Sequence, residues 1–277
     1  MDEFNFFILF SFIQGITEFL PISSSGHLAL LPKFFQENDR GQIIDVAAHT
    51  GSLFAVIIYI RKELILVYSG LITLGEKNAD YLKLFNLILV ASFPIFIVGY
   101  VINLMNFSFL RLAIVIAFSN IIFGLILLYC DRKTDVKFKF QTKDDFFLWR
   151  KMKYRDAILI GIAQIFALIP GASRSGVTIS MSRFLGYDRI TSAKFSLFLS
   201  IPAIVGASFL KSLELVNSIN YHDIELLFFI ILTSFIFAYI SIYWLMKFLV
   251  NFSYTVFVIY RLILGGIILF FISFNLI

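Results

Sequence analysis

The sequence predicts an all-α polytopic membrane protein: six transmembrane helices plus two re-entrant helical hairpins in an inverted-topology repeat. Three observations predict it. Of 277 residues, 60% are apolar and only 15% charged, with a mean hydropathy of +0.90; a soluble domain carries roughly 25% charged residues. Runs of about 20 apolar residues recur, the length that crosses a bilayer core as a helix. Two further apolar segments are broken by proline and run into serine-rich turns. Broken backbone is tolerated at membrane depth only where it is buried in protein or lines a wet cavity.

In chain order, the first broken segment is 4–20, which ends at Pro21. Full spans follow at about 42–60, 84–103 and 109–129. The second broken segment, 157–169, ends at Pro170 and is too short to span. Spans at 191–210, 224–246 and 255–274 complete the chain. The 35 phenylalanines suit lipid-facing and helix-packing surfaces. The single cysteine, Cys130, falls at the end of a span and is expected to be a small buried or interfacial residue. No cleavable signal peptide is expected, because the opening MDEFNFF is acidic where such a signal is basic.

Lysine and arginine set the orientation. Arg61 and Lys62 follow the first span, and the loop 131–156 holds nine Lys/Arg. With both on the cytoplasmic side, the cytoplasmic segments hold 17 Lys/Arg and the outer loops four, namely Lys33, Arg40, Arg111 and Lys211. Arg174 and Arg261 are left within the membrane, and both termini lie outside. The loop reads as a solvated topology anchor, with binding to anionic lipid as the sharper alternative. The net charge of +5 is thus spent on orientation, and no nucleic-acid partner is expected.

On this threading the first hairpin enters from outside and the second from inside. Their sequences correspond: QGITEFLPISSSG (14–26) and QIFALIPGASRSG (164–176) both run from Gln through apolar residues to Pro and a serine-rich turn closed by Gly. The offset is about 150 residues. The chain is therefore expected to be one membrane domain, with a first repeat over about 1–130, a basic loop 131–156, and a second repeat over about 157–277. The polar site of such a fold lies near the midplane, where the halves meet.

Ionisable residues in spans are costly and face a cavity or each other. Glu18, His27, Asp45, His49, Arg174 and Arg261 qualify. In PGASRSGVTIS (170–180), Gly171 and Gly176 permit a tight turn, and Ser173, Ser175 and Thr178 add hydroxyls. Arg174 offers a planar fork that fits phosphate oxygens. Residues after Gly176 can start a helix whose N-terminus favours an anion. Together these form a candidate phosphate cradle. The structural alternative for Arg174 is an ion pair that holds the hairpins together.

The first hairpin brings complementary groups. Glu18 is suited to hold a divalent cation or to accept a proton, and Gln14 lies four residues away on the same helix face. Ser23, Ser24 and Ser25 provide hydroxyls, with backbone capping the plainer role for Ser23 and Ser25. Ser24 and His27 are three apart, a spacing that allows an activated nucleophile; a structural hydrogen bond is the alternative for His27. Asp45 and His49 share a face, and helix capping or interhelical hydrogen bonding competes with a direct role. Arg261 is expected to face the cavity or neutralise an acid, with direct phosphate contact as a further reading. His222 is assigned nothing.

QGITEFLPISSSGH and PGASRSGVT, with DVAAHTGSL at 45–53, resemble the signature regions of the undecaprenyl-diphosphate phosphatase (bacitracin-resistance) family. The likeness covers essentially the whole chain. It implies hydrolysis of C55-isoprenyl diphosphate to the monophosphate carrier lipid of bacterial wall synthesis. It also implies a divalent cation, Mg²⁺ or Ca²⁺, and an active site on the outer face of the cytoplasmic (inner) membrane. The partners implied are the polyprenyl diphosphate substrate and membrane lipids, with a homodimer left open. By motif position, Glu18, Ser24, His27 and Arg174 form the catalytic and diphosphate-binding set. Gln14 stands where many members have a second Glu, which leaves Glu18 as the metal or base candidate. Ser24 is the favoured nucleophile, with His27 or Glu18 as base; attack by metal-bound water is the rival. The functional alternative is a lipid-phosphate or anion transporter built on the same cavity.

Overall fold

The computed structural model describes residues 3–35, 42–72, 79–105, 108–136, 149, 151–215 and 223–274. These residues are almost wholly helical, and no strand occurs among them. The first half comprises α1 (Glu3–Phe19), α2 (Ser24–Phe35), α3 (Gln42–Tyr59), α4 (Arg61–Ile72), α5 (Ala79–Met105) and α6 (Ala113–Lys133). The second comprises α7 (Tyr154–Ile165), α8 (Arg174–Phe184), α9 (Arg189–Leu215), α10 (Asp223–Phe248) and α11 (Thr255–Ser273).

Five of these helices, α5, α6, α9, α10 and α11, are long and apolar enough to cross a membrane. A sixth span is obtained if α3 and α4 count as one broken unit, bent by 76°. That is a correction: the expected span at 42–60 does not simply end at Arg61 and Lys62 but turns into a second helix. Many large apolar side chains lie on the outside, Phe93, Leu104, Phe209 and Phe228 among them. An apolar surface of this extent needs a lipid environment. The multi-pass architecture follows from both facts.

Each proline-broken segment forms a helix–turn–helix unit. Pro21 lies in the turn between α1 and α2. In the second unit, α7 tightens into a 3₁₀ turn, Phe166–Leu168, before the turn that holds Pro170. The first helix of each unit packs on a helix of the opposite half: α1 on α10, and α7 on α5. Glycines allow the approach, as small residues do between helices in lipid. A Cβ at Gly15 would come within 2.9 Å of Ser234 O, and one at Gly161 within 2.4 Å of Ala91 O. The halves are joined further by α3 against α9 and α10, and by α6 against α11.

The expectation of a solvated loop at 131–156 needs correcting at both ends; residues 137–148 and 150 lie outside the described residues. Asp131 sits in the last turn of α6 and is buried. Its carboxylate accepts from Arg183 Nε (2.9 Å), Arg189 Nε (2.8 Å) and Arg189 Nη2 (3.0 Å), and from the Tyr254 backbone N–H (3.3 Å). Four helices are thereby tied at one end of the molecule. A buried carboxylate is stable only with such partners. Near the loop's other end, Trp149 is buried between Phe195 and Phe198. Of the outer Lys/Arg residues, Arg40 lies outside the described residues, as does His222. Lys211 pairs with Asp45 at 3.1 Å.

Candidate active site

The two turns are built alike. Ser23 and Ser173 are the only non-glycine residues with positive φ among those described, at 72° and 70°. Each serine caps the helix that follows: Gly26 N donates to Ser23 Oγ at 3.3 Å, and Gly176 N to Ser173 Oγ at 3.1 Å. Each also has the serine two residues on beside it, with Ser23 Oγ 3.3 Å from Ser25 Oγ and Ser173 Oγ 3.0 Å from Ser175 Oγ. A serine in this conformation is strained by roughly 1–3 kcal/mol, the kind of strain that collects at functional sites. The consequence is positional. Ser24 becomes the first residue of α2, and Arg174 the first of α8. Both helices thus start at the site, where their N-terminal dipoles favour an anion. The helix in the second unit starts at Arg174, ahead of the expected point after Gly176.

Glu18, in the last turn of α1, is where the two units meet. Ser24 Oγ donates to Glu18 Oε2 at 2.7 Å, and Gln14 Nε2 donates to the same oxygen at 3.1 Å. Arg174 Nη2 donates to Glu18 Oε1 at 3.3 Å, and its Nη1 donates to Ser196 O at 2.8 Å. The Arg174 fork lies against the Phe19 ring, 5.9 Å from its centroid. A fourth group completes the cluster: His49 Nε2, on α3, is 3.8 Å from Glu18 Oε2. The Glu18 side chain is 8% exposed, Arg174 11% and His49 28%, while Ser24 is half-buried. The carboxylate is thus nearly enclosed, and the hydroxyl and imidazole beside it are more exposed than it is.

This geometry brings together Gln14, Glu18, Ser24 and Arg174, and adds His49, which sequence reasoning left undecided. The available signal for His49 was its place as a polar residue inside an apolar span; nothing local pointed it at Glu18.

His27 is not paired with Ser24, contrary to the spacing argument. Its Nδ1–H donates to Ser23 O at 2.6 Å, so its Nε2 accepts from Tyr260 Oη, also at 2.6 Å. The two rings stack at 5.7 Å. The ring is turned toward α11, and the group touching Ser24 Oγ is the Glu18 carboxylate. No local spacing points to Tyr260 as the partner, since the contact spans 233 residues.

Several candidate ligand residues are occupied in holding the turns. Ser175 Oγ donates to Leu20 O (2.9 Å), stitching one turn to the other. Thr178 Oγ1 donates to Ser196 Oγ (2.8 Å). Ser23, Ser173, Ser175 and Thr178 are all buried; Ser25 is exposed, against Ser23. Gly171, at φ 95°, lies so close to α6 that a Cβ would sit 2.6 Å from Ile116 O.

Arg261 requires the clearest correction. It does not face a cavity and is fully buried. Its Nε donates to Asn120 O (3.2 Å), Nη1 to Pro21 O (3.3 Å), and Nη2 to Gly171 O (2.9 Å), Ala172 O (3.0 Å) and Ser119 O (3.4 Å). Broken helices leave carbonyls without intrahelical donors, and one guanidinium caps those of both turns. Arg261→Met is therefore expected to lower thermal stability in detergent sharply, since each orphaned buried carbonyl costs on the order of 1–3 kcal/mol. An unchanged melting temperature with weakened substrate binding would return Arg261 to a ligand role.

Inside a multi-pass helical bundle, a buried carboxylate thus shares its oxygens between a hydroxyl of its own unit and a guanidinium brought from the other half. A family model described as bacitracin resistance protein BacA matches residues 7–267. The chain belongs to that family.

Proposed function

We propose that the chain hydrolyses undecaprenyl (C55-isoprenyl) diphosphate to undecaprenyl phosphate and inorganic phosphate. On this reading it recycles the carrier lipid of the bacterial cell wall and confers bacitracin resistance. Family membership supports the substrate. The observation that carries the chemistry is Ser24 Oγ at 2.7 Å from Glu18 Oε2, with Arg174 on the other oxygen. A hydroxyl hydrogen-bonded to a carboxylate is the arrangement of an activated nucleophile.

In the proposed reaction Ser24 Oγ attacks the terminal phosphorus and Glu18 Oε2 takes its proton. Arg174 has two of its five N–H donors engaged, on Ser196 O and Glu18, and the rest of its fork suits phosphate oxygens. The starts of α2 and α8 add partial positive charge where negative charge gathers. Water then cleaves the phosphoserine, with Glu18 as base. The bundle and the buried turns limit the access of other water.

Among the described residues no three His, Cys, Asp or Glu side chains gather to hold a metal alone. The oxygen donors fit a hard cation bound mainly through substrate. Glu18 stands beside Gln14, whose Oε1 is buried and has no hydrogen-bond partner. Mg²⁺ characteristically uses one or two carboxylates plus substrate phosphates. Glu18 and Gln14 would hold Mg²⁺ or Ca²⁺, which would neutralise charge on the diphosphate. The helix–turn–helix units are proposed to be re-entrant and oppositely inserted, in the cytoplasmic membrane, with the site opening to the outer face and the prenyl tail left in lipid.

The test is phosphate release from a prenyl diphosphate by purified protein in detergent. Release that stops with chelator and returns with Mg²⁺ or Ca²⁺ is expected. Movement of intact lipid across liposomes without phosphate release would replace this reading with transport.

A further inference from the structure

We propose that the end of the bundle where α6 and α8 stop is a phospholipid site, selective for a headgroup that carries both a phosphate and a primary ammonium, as in phosphatidylethanolamine. It shares no residue with the Glu18 cluster and does not rest on the reaction proposed above.

The site forms because two helices end side by side. α6 ends at Lys133 and α8 at Phe184. Thr134 Oγ1 donates to Cys130 O and to Arg183 O (2.7 Å), so one hydroxyl ties the two ends together. Past α8 the chain turns back at Gly186, at φ 100°, whose N–H donates to Arg183 O at 2.9 Å. A left-handed glycine is a common way to end a helix. The ends enclose a cavity of about 230 Å³, whose lining includes Tyr129, Lys133, Thr134, Asp135, Phe184 and Gly186. That is smaller than the roughly 300–1,000 Å³ of pockets that enclose a whole drug-sized ligand. It suits a headgroup whose acyl chains stay in the bilayer.

The cavity lies at headgroup depth. Arg132 and Lys133 close the apolar span of α6. Tyr129 and Phe184, beside the cavity, are each more than half exposed. The turn between α10 and α11 is at the same level, since the Tyr254 N–H donates to Asp131, and Trp244 is exposed in the last turns of α10 before it. Aromatic side chains gather at the membrane–water interface, with Lys and Arg just beyond the span.

Charge selects the headgroup. The arginines at this end are already engaged: Arg183 donates to Asp131 and to Tyr187 O, and Arg189 to Asp131. The charged side chains lining the cavity are Lys133 and Asp135, one of each sign. Lys133 Nζ lies 5.3 Å from the centroid of the Tyr129 ring, and its ammonium suits a phosphate. Asp135 suits a cation, and so do the two helix C-termini, whose last carbonyls carry partial negative charge. Phosphatidylethanolamine meets both demands. Phosphatidylglycerol brings a phosphate without a cation, and the nitrogen of phosphatidylcholine has no N–H to donate. A wholly basic surface would favour phosphatidylglycerol; an acid in the cavity selects against it.

The experiment measures binding of these three lipids, with matched acyl chains, to the full-length protein in detergent by native mass spectrometry. The wild type is compared with Lys133→Gln, Asp135→Asn and Asp135→Lys. The wild type is expected to bind phosphatidylethanolamine about tenfold more tightly than the other two, the worth of one charge-assisted hydrogen bond. Lys133→Gln should weaken all three lipids. Asp135→Asn should lose the preference over phosphatidylglycerol, and Asp135→Lys should reverse it. Both residues are exposed, so the lipid-free melting temperature should stay at the wild-type value. Glycerophosphoethanolamine, the headgroup without chains, should not compete at equal concentration. Equal affinity for the three lipids, a wild-type preference for phosphatidylglycerol, or an unchanged preference in Asp135→Lys overturns the site. Competition by glycerophosphoethanolamine at equal concentration overturns its assignment to a lipid.

Discussion

Glu18→Gln is expected to slow phosphate release by about 10³-fold or more while the protein stays folded, the upper range for a lost general base. Glutamine has the same shape and can still accept from Ser24 or Arg174, so packing in the last turn of α1 is preserved. It cannot take a proton from Ser24 Oγ, 2.7 Å away. It also leaves the Arg174 charge in a nearly enclosed site without its counter-ion. Substrate diphosphate supplies that counter-ion, so binding should weaken less than turnover. The readout is steady-state phosphate release with melting temperature as the folding control. Turnover within about tenfold of wild type would remove Glu18 from the base role.

Ser24→Ala is expected to cost at least as much, because it removes the attacking atom itself. Removal of one half-buried hydroxyl at the start of α2 costs little stability, since the cap of that helix is Ser23. Substantial remaining turnover would exclude the phosphoserine route and favour direct attack by water.

Much of the architecture was readable from residue order because lipid imposes a simple requirement. Apolar runs of spanning length became α5, α6 and α9–α11 with small boundary shifts, and Pro21 and Pro170 fell in turns as expected. What was not readable depended on partners distant in the chain. The charges flanking the first span gave no sign that the chain bends there into α4. Asp131 looked like part of a basic loop, since the arginines that bury it lie more than 50 residues away.

The site followed the same division. Glu18, Ser24 and Arg174 stood out because charged and hydroxyl groups in apolar segments demand a reason. The pairing of Ser24 with His27 failed because three residues of spacing set neighbouring positions on a helix but not the direction of the ring. Tyr260 decided that direction. Arg261 was misjudged for a related reason: a buried guanidinium suggests a ligand until the carbonyls opened by two broken helices are counted. His49 was visible as a polar residue in a span, but its partner on α1 was not.

The central claim is that Ser24 becomes phosphorylated during turnover. The direct measurement is rapid acid quench of purified protein mixed with prenyl diphosphate labelled in the terminal phosphate, followed by peptide mass spectrometry. Label is expected on Ser24, forming no more slowly than phosphate appears. Phosphate release at full rate with no label at residue 24 at any quench time would contradict it.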